Sequence, residues 1–402
     1  MAAIMNMLLG NHAGGDPMPG TPLVYNFGAD PSPQRYTALG YDPSTGRALQ
    51  MSIYDIVTPN LGQYTVVTPN NGTMSGGATT VYNNSDTDYV WLSYDSNVNK
   101  FLLLYRDDGA GEPIKARSVT LSSTGNTATF GTVVNVGGKN NLAWHAHDFH
   151  AGTNTHVSIY DDDDGADNAY SRVMRVNANG TVTLGTNYNR GRPTSVSGPT
   201  MYNVAANRLY QVNRDGTIYS VQAVLPTTSL TASFTGWSNF GTTSDTTIVQ
   251  GGNNMNFYIP ASSRNFLLGY YSSQRKYWCF SGTGPTVTSH NLNIPLLPGA
   301  DAQLQVSHGC YDPNTNKVLI LFTDYNTTTA QFFVGVAEFA VSGSTLTHIV
   351  STLLDDTGMS SSYGYGIVYC TNTQEALMNY TISKTVGADH KNIFQTYKVS
   401  RL

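Results

Sequence analysis

The stretch Tyr41-Asp42-Pro43-Ser44-Thr45-Gly46-Arg47-Ala48-Leu49 decides the fold, because it recurs along the chain. It returns as Tyr94-Asp95-Ser96-Asn97-Val98-Asn99-Lys100-Phe101-Leu102 and, almost intact, as Tyr311-Asp312-Pro313-Asn314-Thr315-Asn316-Lys317-Val318-Leu319. Asp, Asn and Ser side chains bond to nearby backbone groups and so favour turns. Each copy therefore predicts a turn that joins two strands.

Four weaker copies complete a series of seven. They start at His147 (a copy lengthened by two residues), Tyr202, Ile259 and Tyr369. The successive starts are 53, 53, 55, 57, 52 and 58 residues apart. Self-similarity at a period of this size indicates a repeat architecture in which one supersecondary unit recurs.

Each unit predicts four strands, as the second copy illustrates. Runs that alternate between apolar and polar residues, bounded by clusters of Gly, Asn, Asp and Ser, are typical of strands and hairpins. In this unit the runs are 89–94, 100–105, 116–121 and 128–136. Four-stranded units repeated around a ring define a β-propeller. The sequence therefore predicts an all-β, seven-bladed propeller, with six or eight blades as alternatives.

The chain ends predict how the ring closes. The last unit stops about one strand short, whereas residues 21–28 form an isolated strand ahead of the first unit. We expect residues 21–28 to complete a last blade whose other three strands come from residues 364–400, which removes an open sheet edge. This assigns residues 1–20 to an N-terminal arm and residues 21–402 to the propeller.

Composition excludes several classes of protein. Only 12% of the 402 residues are charged, against roughly a quarter in an ordinary soluble domain, and the net charge is −5. A basic nucleic-acid-binding face is therefore not expected. No apolar run reaches the ~18 residues of a membrane helix, so we expect no membrane insertion. The widely spaced Cys279, Cys310 and Cys370 predict inert packing rather than a disulfide framework or a zinc site.

Two clusters raise the question of a bound ion. Asp161-Asp162-Asp163-Asp164-Gly165 has calcium-like chemistry, but other units place comparable polar turns after their second strand, so a solvated hairpin turn is the favoured interpretation. His145, His147, His150 and His156 have metal-compatible spacing. His147 takes the Tyr position of the repeat, which favours packing between blades. The sequence leaves both ion sites open.

The sequence predicts no enzymatic activity and no cofactor. It lacks a nucleophile elbow, an HExxH motif and a phosphate-binding glycine loop. Asn213-Arg214-Asp215-Gly216-Thr217 is a fragment of the box that recurs in sialidase propellers, and no intact copy is present.

The N-terminal arm is the candidate partner-binding segment. Its apolar residues are Ile4, Met5, Met7, Leu8 and Leu9. Met-rich apolar strips adapt to partner surfaces. A frayed terminus is the competing interpretation.

The second and sixth units resemble repeats in virion structural proteins of tailed bacteriophages, in which a Tyr-Asp-x-x-x-Asn-Lys stretch and a trailing strand like 128–136 recur. The resemblance implies a virion component, in a tail or a fibre-like appendage, that is assembled in the cytoplasm of the host bacterium. It implies other virion proteins as partners, several copies per virion, and contact with the host surface, where a glycan is a candidate partner. The alternatives are a lectin-like glycan-binding propeller and, third, a polysaccharide-degrading enzyme.

Overall fold

The computed structural model is a ring of seven antiparallel sheets, which is a seven-bladed β-propeller. This confirms the predicted fold class and blade count. The structure describes residues 18–26, 35–54, 59–107, 113–137, 145–162, 168–193, 196–215, 218–242, 256–271, 274–356, 365–383 and 390–399.

Two short strands precede the first blade, and their partners lie at the other end of the chain. They are β1 (Met18–Pro19) and β2 (Leu23–Asn26). Blade 1 follows with β3 (Arg35–Asp42), β4 (Arg47–Tyr54), β5 (Leu61–Asn70), β6 (Thr73–Gly76) and β7 (Thr80–Asn83). Blade 2 contains β8 (Thr87–Asp95), β9 (Lys100–Asp107), β10 (Ile114–Leu121), β11 (Ala128–Phe130) and β12 (Val134–Gly137). In both blades the outermost strand is split in two.

Blades 3 and 4 follow the same plan. Blade 3 contains β13 (His145–His150), β14 (Thr155–Asp162), β15 (Asn168–Val176) and β16 (Val182–Pro193). Blade 4 contains β17 (Val196–Asn203), β18 (Arg208–Asp215), β19 (Ile218–Pro226), β20 (Ala232–Phe234) and β21 (Ser238–Thr242).

The last three blades complete the ring. Blade 5 contains β22 (Asn256–Ile259), a 3-10 helix (Pro260–Ser262), β23 (Arg264–Tyr271), β24 (Gln274–Ser281) and β25 (Thr286–Asn291). Blade 6 contains β26 (Ala302–Asp312), β27 (Lys317–Asn326), β28 (Gln331–Ser342) and β29 (Thr345–Asp355). Blade 7 contains β30 (Tyr365–Cys370), β31 (Glu375–Ser383) and β32 (His390–Lys398). In the part of the chain that the structure describes, no helix is long and apolar enough to span a membrane.

The N-terminal segment closes the ring, as predicted for residues 21–28, but the closing segment begins earlier, because Met18–Pro19 lies in the range assigned to the arm. Both β1 and β2 pair with β32, so that Leu23 lies opposite Phe394 and Met18 opposite Lys398. The same segment also touches blade 1, because the Thr21 N–H donates to the Gly72 carbonyl at 2.9 Å. Blade 7 thus takes its fourth strand from the start of the chain, as closed propellers do to protect a sheet edge.

Every blade joins its first two strands through a four-residue turn, and the last turn residue always has a left-handed backbone. Its φ lies between 50° and 68° in all seven blades. The seven residues are Gly46, Asn99, Asn154, Asn207, Ser263, Asn316 and Gln374. Glycine and asparagine are the residues that adopt this conformation most readily. The backbone conformation therefore explains why five of the seven repeats place Asn or Gly at the end of the turn.

Strand pairing corrects the predicted register in two units. His150 lies opposite Thr155, so the third turn is 151–154, with the usual length, and Phe149 rather than His147 takes the Tyr position. Ile259 lies opposite Arg264, which gives that position in the fifth unit to Tyr258. The sequence analysis placed the start of the third repeat two residues too early, because His147-Asp148 resembles the Tyr-Asp pair that opens other repeats.

The repeated Tyr and Asp bind neighbouring blades to each other at the turn face, which we define as the end of the ring that carries the seven turns. Asp42 Oδ1 accepts from the Ser44 N–H at 2.9 Å, which fixes its own turn, and from the Tyr94 hydroxyl of blade 2 at 2.8 Å. Asn314 of blade 6 similarly donates to the Tyr369 hydroxyl of blade 7 at 2.7 Å. The motif therefore sets both the hairpin and the contact between blades.

Candidate functional site

The predicted histidine cluster lies at the boundaries of blade 3. His145 and His147 occupy alternate, buried positions of β13, as the sequence predicted. His147 Nε2 donates to the Leu102 carbonyl of blade 2 at 3.1 Å. His150 faces the other way, and its Nε2 donates to the Asn207 carbonyl of blade 4 at 3.1 Å. The four histidines therefore do not converge on one point.

His156 joins two residues of blade 2 in an arrangement that sequence reasoning missed. Its Nδ1 lies 2.9 Å from Ser93 Oγ, and its Nε2 lies 3.5 Å from Asp95 Oδ2. His156 and Asp95 are fully buried. A serine, a histidine and an aspartate are also the groups of hydrolytic triads, but a substrate cannot reach these buried atoms. The sequence signal was weak, because Ser93 and Asp95 lie in the preceding repeat.

Burial sets the protonation of this region. It lowers the pKa of His147 well below its usual value, and like charge on His156 and His145 lowers it further. Burial also lowers the pKa of His156, against the opposing effect of Asp95. For Asp148, burial raises the pKa to about 6 despite hydrogen bonds from the Phe149 and Tyr202 N–H groups. Burial thus favours the neutral form of His147 and His156, and the hydrogen bonds of the cluster hold blades 2, 3 and 4 together.

Metal binding finds no geometric support among the described residues, where no three His, Cys, Asp or Glu side chains are grouped to hold an ion. Asp161 and Asp162 end β14 and pair with Ala169 and Asn168 of β15, so this stretch leads into a hairpin, as the favoured interpretation predicted. Residues 163–167 lie outside the described part of the chain.

The cysteines and the arm carry no described site. Cys279, Cys310 and Cys370 are free and buried. Burial raises the pKa of the Cys279 thiol to about 12, which makes it a poor nucleophile. The candidate residues of the arm, Ile4, Met5, Met7, Leu8 and Leu9, lie outside the described residues, so their partner-binding role stays a prediction.

An unusual backbone marks the end of the ring axis opposite the turn face. The first strands of neighbouring blades contact one another around this axis. Tyr89 lies near the start of β8 with a φ of 45°, inside a bulge between Asp88 and Trp91. Bulky residues rarely adopt a positive φ, and such strain concentrates at functional positions. The Arg106 guanidinium lies 5.8 Å from the Tyr89 ring centroid.

The outer clefts between blades contain aromatic rings and guanidinium groups. Between blades 1 and 2, Tyr82 stacks on Phe130 with 5.5 Å between ring centroids, and Arg117 Cζ lies 4.8 Å from the Phe130 centroid. Between blades 3 and 4, Tyr188 meets Phe234 edge-on at 5.0 Å. Sequence reasoning missed both clefts because each combines residues from two repeats.

No protein-family model and no curated protein matches the sequence, but solved structures do. NanB, a sialidase from Streptococcus pneumoniae, superimposes in one structure with a TM-score of 0.51 and 9% identity, covering 98% of this chain and 72% of NanB. AofleA from Arthrobotrys oligospora gives 0.51 and 9%, covering 85% and 94%. A Trypanosoma rangeli sialidase in complex with sialic acid gives 0.45 and 10%, covering 93% and 58%. At these identities the likeness shows the propeller fold alone.

These similarities correct one prediction. The sequence analysis predicted a protein that is not an enzyme, yet this propeller superimposes on NanB, which is a sialidase. The prediction is therefore wrong in its reasoning, because it treated the absence of short catalytic motifs as decisive. A propeller can assemble a site from separate blades, and such a site leaves no contiguous motif. The virion role stays a prediction.

Proposed function

We propose that this protein is a structural component of the virion of a tailed bacteriophage, in the tail or a fibre-like appendage. One observation carries the proposal: in blades 2 and 6, the stretch that resembles virion repeats forms the turn between the first two strands. Its residues also contact the neighbouring blade, as where the Tyr94 hydroxyl donates to Asp42 of blade 1. The resemblance therefore concerns residues that build turns and contacts between blades.

The position of the N-terminal segment supports attachment through the arm. Met18 pairs with Lys398, one residue beyond Tyr397, and Tyr397 lies opposite Ala376, the second residue after the blade 7 turn. The chain therefore enters the rim on the turn face. Attachment on that side leaves the opposite end of the axis, which the strained Tyr89 marks, to meet the host surface or another virion protein.

Deletion of residues 1–12 tests this function, because it removes Ile4, Met5, Met7, Leu8 and Leu9 and retains the ring-closing strands. We expect the truncated protein to fold with an unchanged thermal midpoint and to be missing from purified particles, as measured by quantitative mass spectrometry. Replacing residues 1–12 by a Gly/Ser segment of equal length controls for length and should also abolish incorporation. Normal incorporation of either variant would contradict attachment by the arm, and absence of the full-length protein from particles would contradict the virion role.

A glycan-binding propeller is the second candidate, and the outer clefts favour it. Aromatic rings and planar guanidinium groups at a surface bind saccharides through stacking and fixed hydrogen-bond donors. The rings of Tyr82, Phe130, Tyr188 and Phe234 are all partly exposed. A glycan array with the purified full-length protein tests this candidate, since it predicts saturable binding to at least one saccharide class.

A further inference from the structure

The outer cleft between blades 3 and 4 contains a guanidinium group in an unusual environment. Arg190 belongs to β16, the outer strand of blade 3, and its side chain crosses to blade 4. There its Cζ lies 3.6 Å from the Phe234 ring centroid. Its Nε and Nη2 both donate to the same acceptor, Gln222 Oε1, at 3.3 and 2.8 Å.

The equivalent positions of blades 2 and 3 contain arginines in a different arrangement. Arg117, on the third strand of blade 2, lies opposite Leu103, and Gln222 lies opposite Gln211 at the matching place in blade 4. Arg117 donates to the Gly131 carbonyl of its own outer strand at 3.2 Å and to the Tyr82 carbonyl of blade 1 at 3.3 Å. Its guanidinium therefore ties two blades together through backbone acceptors.

Blade 3 repeats that arrangement with Arg172, which lies 55 residues after Arg117. Arg172 donates to the Gly185 carbonyl of its own outer strand at 3.3 Å and also to the Val136 carbonyl of blade 2. Blade 4 differs from blades 2 and 3, because its third strand carries Gln222 and the guanidinium comes from the preceding blade.

Among the described residues, no acidic group compensates the positive charge of Arg190. None of the ion pairs in this part of the chain includes Arg190, and no described group accepts from its Nη1. The side chain is half-buried, and this burial lowers the pKa of the guanidinium. A desolvated cation is unfavourable unless an anion approaches it. The arrangement is therefore suited to a negatively charged ligand.

The surroundings indicate what kind of anion fits. On β16, Asn187 and Asn189 point to the other face of blade 3, where they bond to the Tyr160 and Tyr170 hydroxyls at 2.8 and 3.1 Å. The residues of β16 on the face of Arg190 are Tyr188 and the exposed Thr186, and neither carries a charge. One guanidinium beside uncharged groups matches a ligand with a single negative charge. The aromatic edge formed by Tyr188 and Phe234 supplies an apolar surface for the C–H face of a pyranose.

We propose that this cleft binds a carboxylate-bearing saccharide of the uronic-acid class. The carboxylate accepts from the N–H groups of Arg190 that do not bond to Gln222, and the pyranose ring packs against the aromatic edge of Tyr188 and Phe234. This inference deepens the glycan-binding candidate and rests on it, whereas it is independent of the virion role. It also predicts one strong site, because the guanidinium groups of Arg117 and Arg172 already bond to carbonyls on both sides of their clefts.

Calorimetric titration of the full-length protein with trigalacturonic acid tests the proposal. We expect saturable binding that weakens as salt is added, since exposed charge pairs are screened. The fully methyl-esterified trisaccharide keeps the ring and hydroxyls and loses the charge, so we expect it to bind about tenfold more weakly or worse. This ligand comparison uses only the wild-type protein and is independent of the folding of any variant.

Variants then locate the site. Arg190→Gln should weaken binding of the acid about tenfold and leave the ester unaffected. Arg190→Lys should give an intermediate loss, because lysine keeps the charge without the planar fork. Arg175→Gln makes the same charge change on the neighbouring strand and should bind normally.

Equal binding of acid and ester, or unchanged binding by Arg190→Gln, would overturn the site. An array that shows binding of neutral glycans without galacturonides would overturn this inference alone and retain the glycan-binding candidate. An array without any binding would overturn both.

Discussion

The interface between blades 7 and 1 and the interface between blades 2 and 3 both contain buried polar groups, but they differ in chemistry. At the first, Gln50 donates to Asn379 at 2.7 Å and accepts from Asn392 at 2.8 Å, and all three amides are fully buried. At the second, His156 lies between Ser93 and Asp95. The first network cannot ionise, whereas the second can. The amide network where the chain ends meet is therefore insensitive to pH, whereas the stability of blade 3 is coupled to pH.

The largest expected effect comes from the ring-closing segment. A Cβ at Gly20 would lie 2.2 Å from Thr396 Oγ1 and 2.6 Å from the Gly72 carbonyl oxygen, so Gly20→Val forces β1 and β2 away from blade 7 or blade 1. We expect a loss of about 3 kcal/mol in the free energy of unfolding, measured with urea. Gly236→Val is the control, because a Cβ there meets no atom within 4 Å and should change stability by less than about 0.5 kcal/mol. Similar losses in both variants would contradict this account of closure.

Next in size is the amide network itself. Asn379→Leu leaves the buried amides of Gln50 and Asn392 without their partner, which should cost about 2 kcal/mol. Because no group in the network titrates, urea unfolding should give the same loss at pH 7.5 and at pH 5.5. A loss that varies with pH would show that titratable groups contribute to this network, and it would contradict the contrast with the interface between blades 2 and 3.

The titratable interface should respond to acid. The folded-state pKa values of His147 and His156 lie below the unfolded value of about 6.5, so their contribution is complete above pH 6.5 and is lost as the pH falls below it. Below pH 6.5, each of these histidines that stays neutral in the folded protein should lower the free energy of unfolding by ~1.4 kcal/mol per pH unit. Asp148 opposes this trend, because its pKa is raised to about 6 and its protonation favours the folded state between pH 6 and 4.

Urea unfolding between pH 7.5 and 5.5 measures this dependence. His147→Gln keeps a donor for the Leu102 carbonyl and removes one titrating group, so its stability should change less with pH than that of the wild type. His290→Gln, in β25 of blade 5, is the matched control and should keep the wild-type slope. If the free energy of unfolding changed equally with pH in His147→Gln and in the wild type, His147 would not be the source of the pH dependence.

The sequence predicted the blades far better than it predicted their interfaces. Period and alternation are properties of one repeat, and they sufficed for seven blades and for the strand that closes the ring. The predicted register was wrong at His147, because His147-Asp148 resembles the Tyr-Asp pair of the repeat. In the structure His150 pairs with Thr155, which moves the repeat by two residues. The contacts between blades could not be predicted from the sequence, because the residues that make them lie about one repeat apart along the chain.

Arg190 illustrates that limit most clearly. The 55-residue spacing from Arg117 to Arg172 was visible in the sequence, and so was Gln222 at the next equivalent position. Only the packing of β16 against blade 4 reveals that a guanidinium from a different strand occupies the cleft there. A repeat pattern records what each blade shares, whereas a binding site arises where one blade differs.

The smallest expected effect sharpens the comparison at the turns beside the closing interface. Gly46 of blade 1 has a φ of 68°, and Asn99 holds the same place in blade 2 with a φ of 53°. Gly46→Ala should destabilise the protein by about 1 kcal/mol, since alanine strains the left-handed backbone. Gly46→Asn should cost much less, because four other blades place asparagine there and its side chain tolerates this conformation. A Cβ at Gly46 would also lie 3.3 Å from Asn372 Nδ2 of blade 7. If both variants lost the same free energy of unfolding in urea, the loss would come from the contact with Asn372 across the closing interface. A loss confined to Gly46→Ala would instead come from the left-handed backbone that all seven turns share.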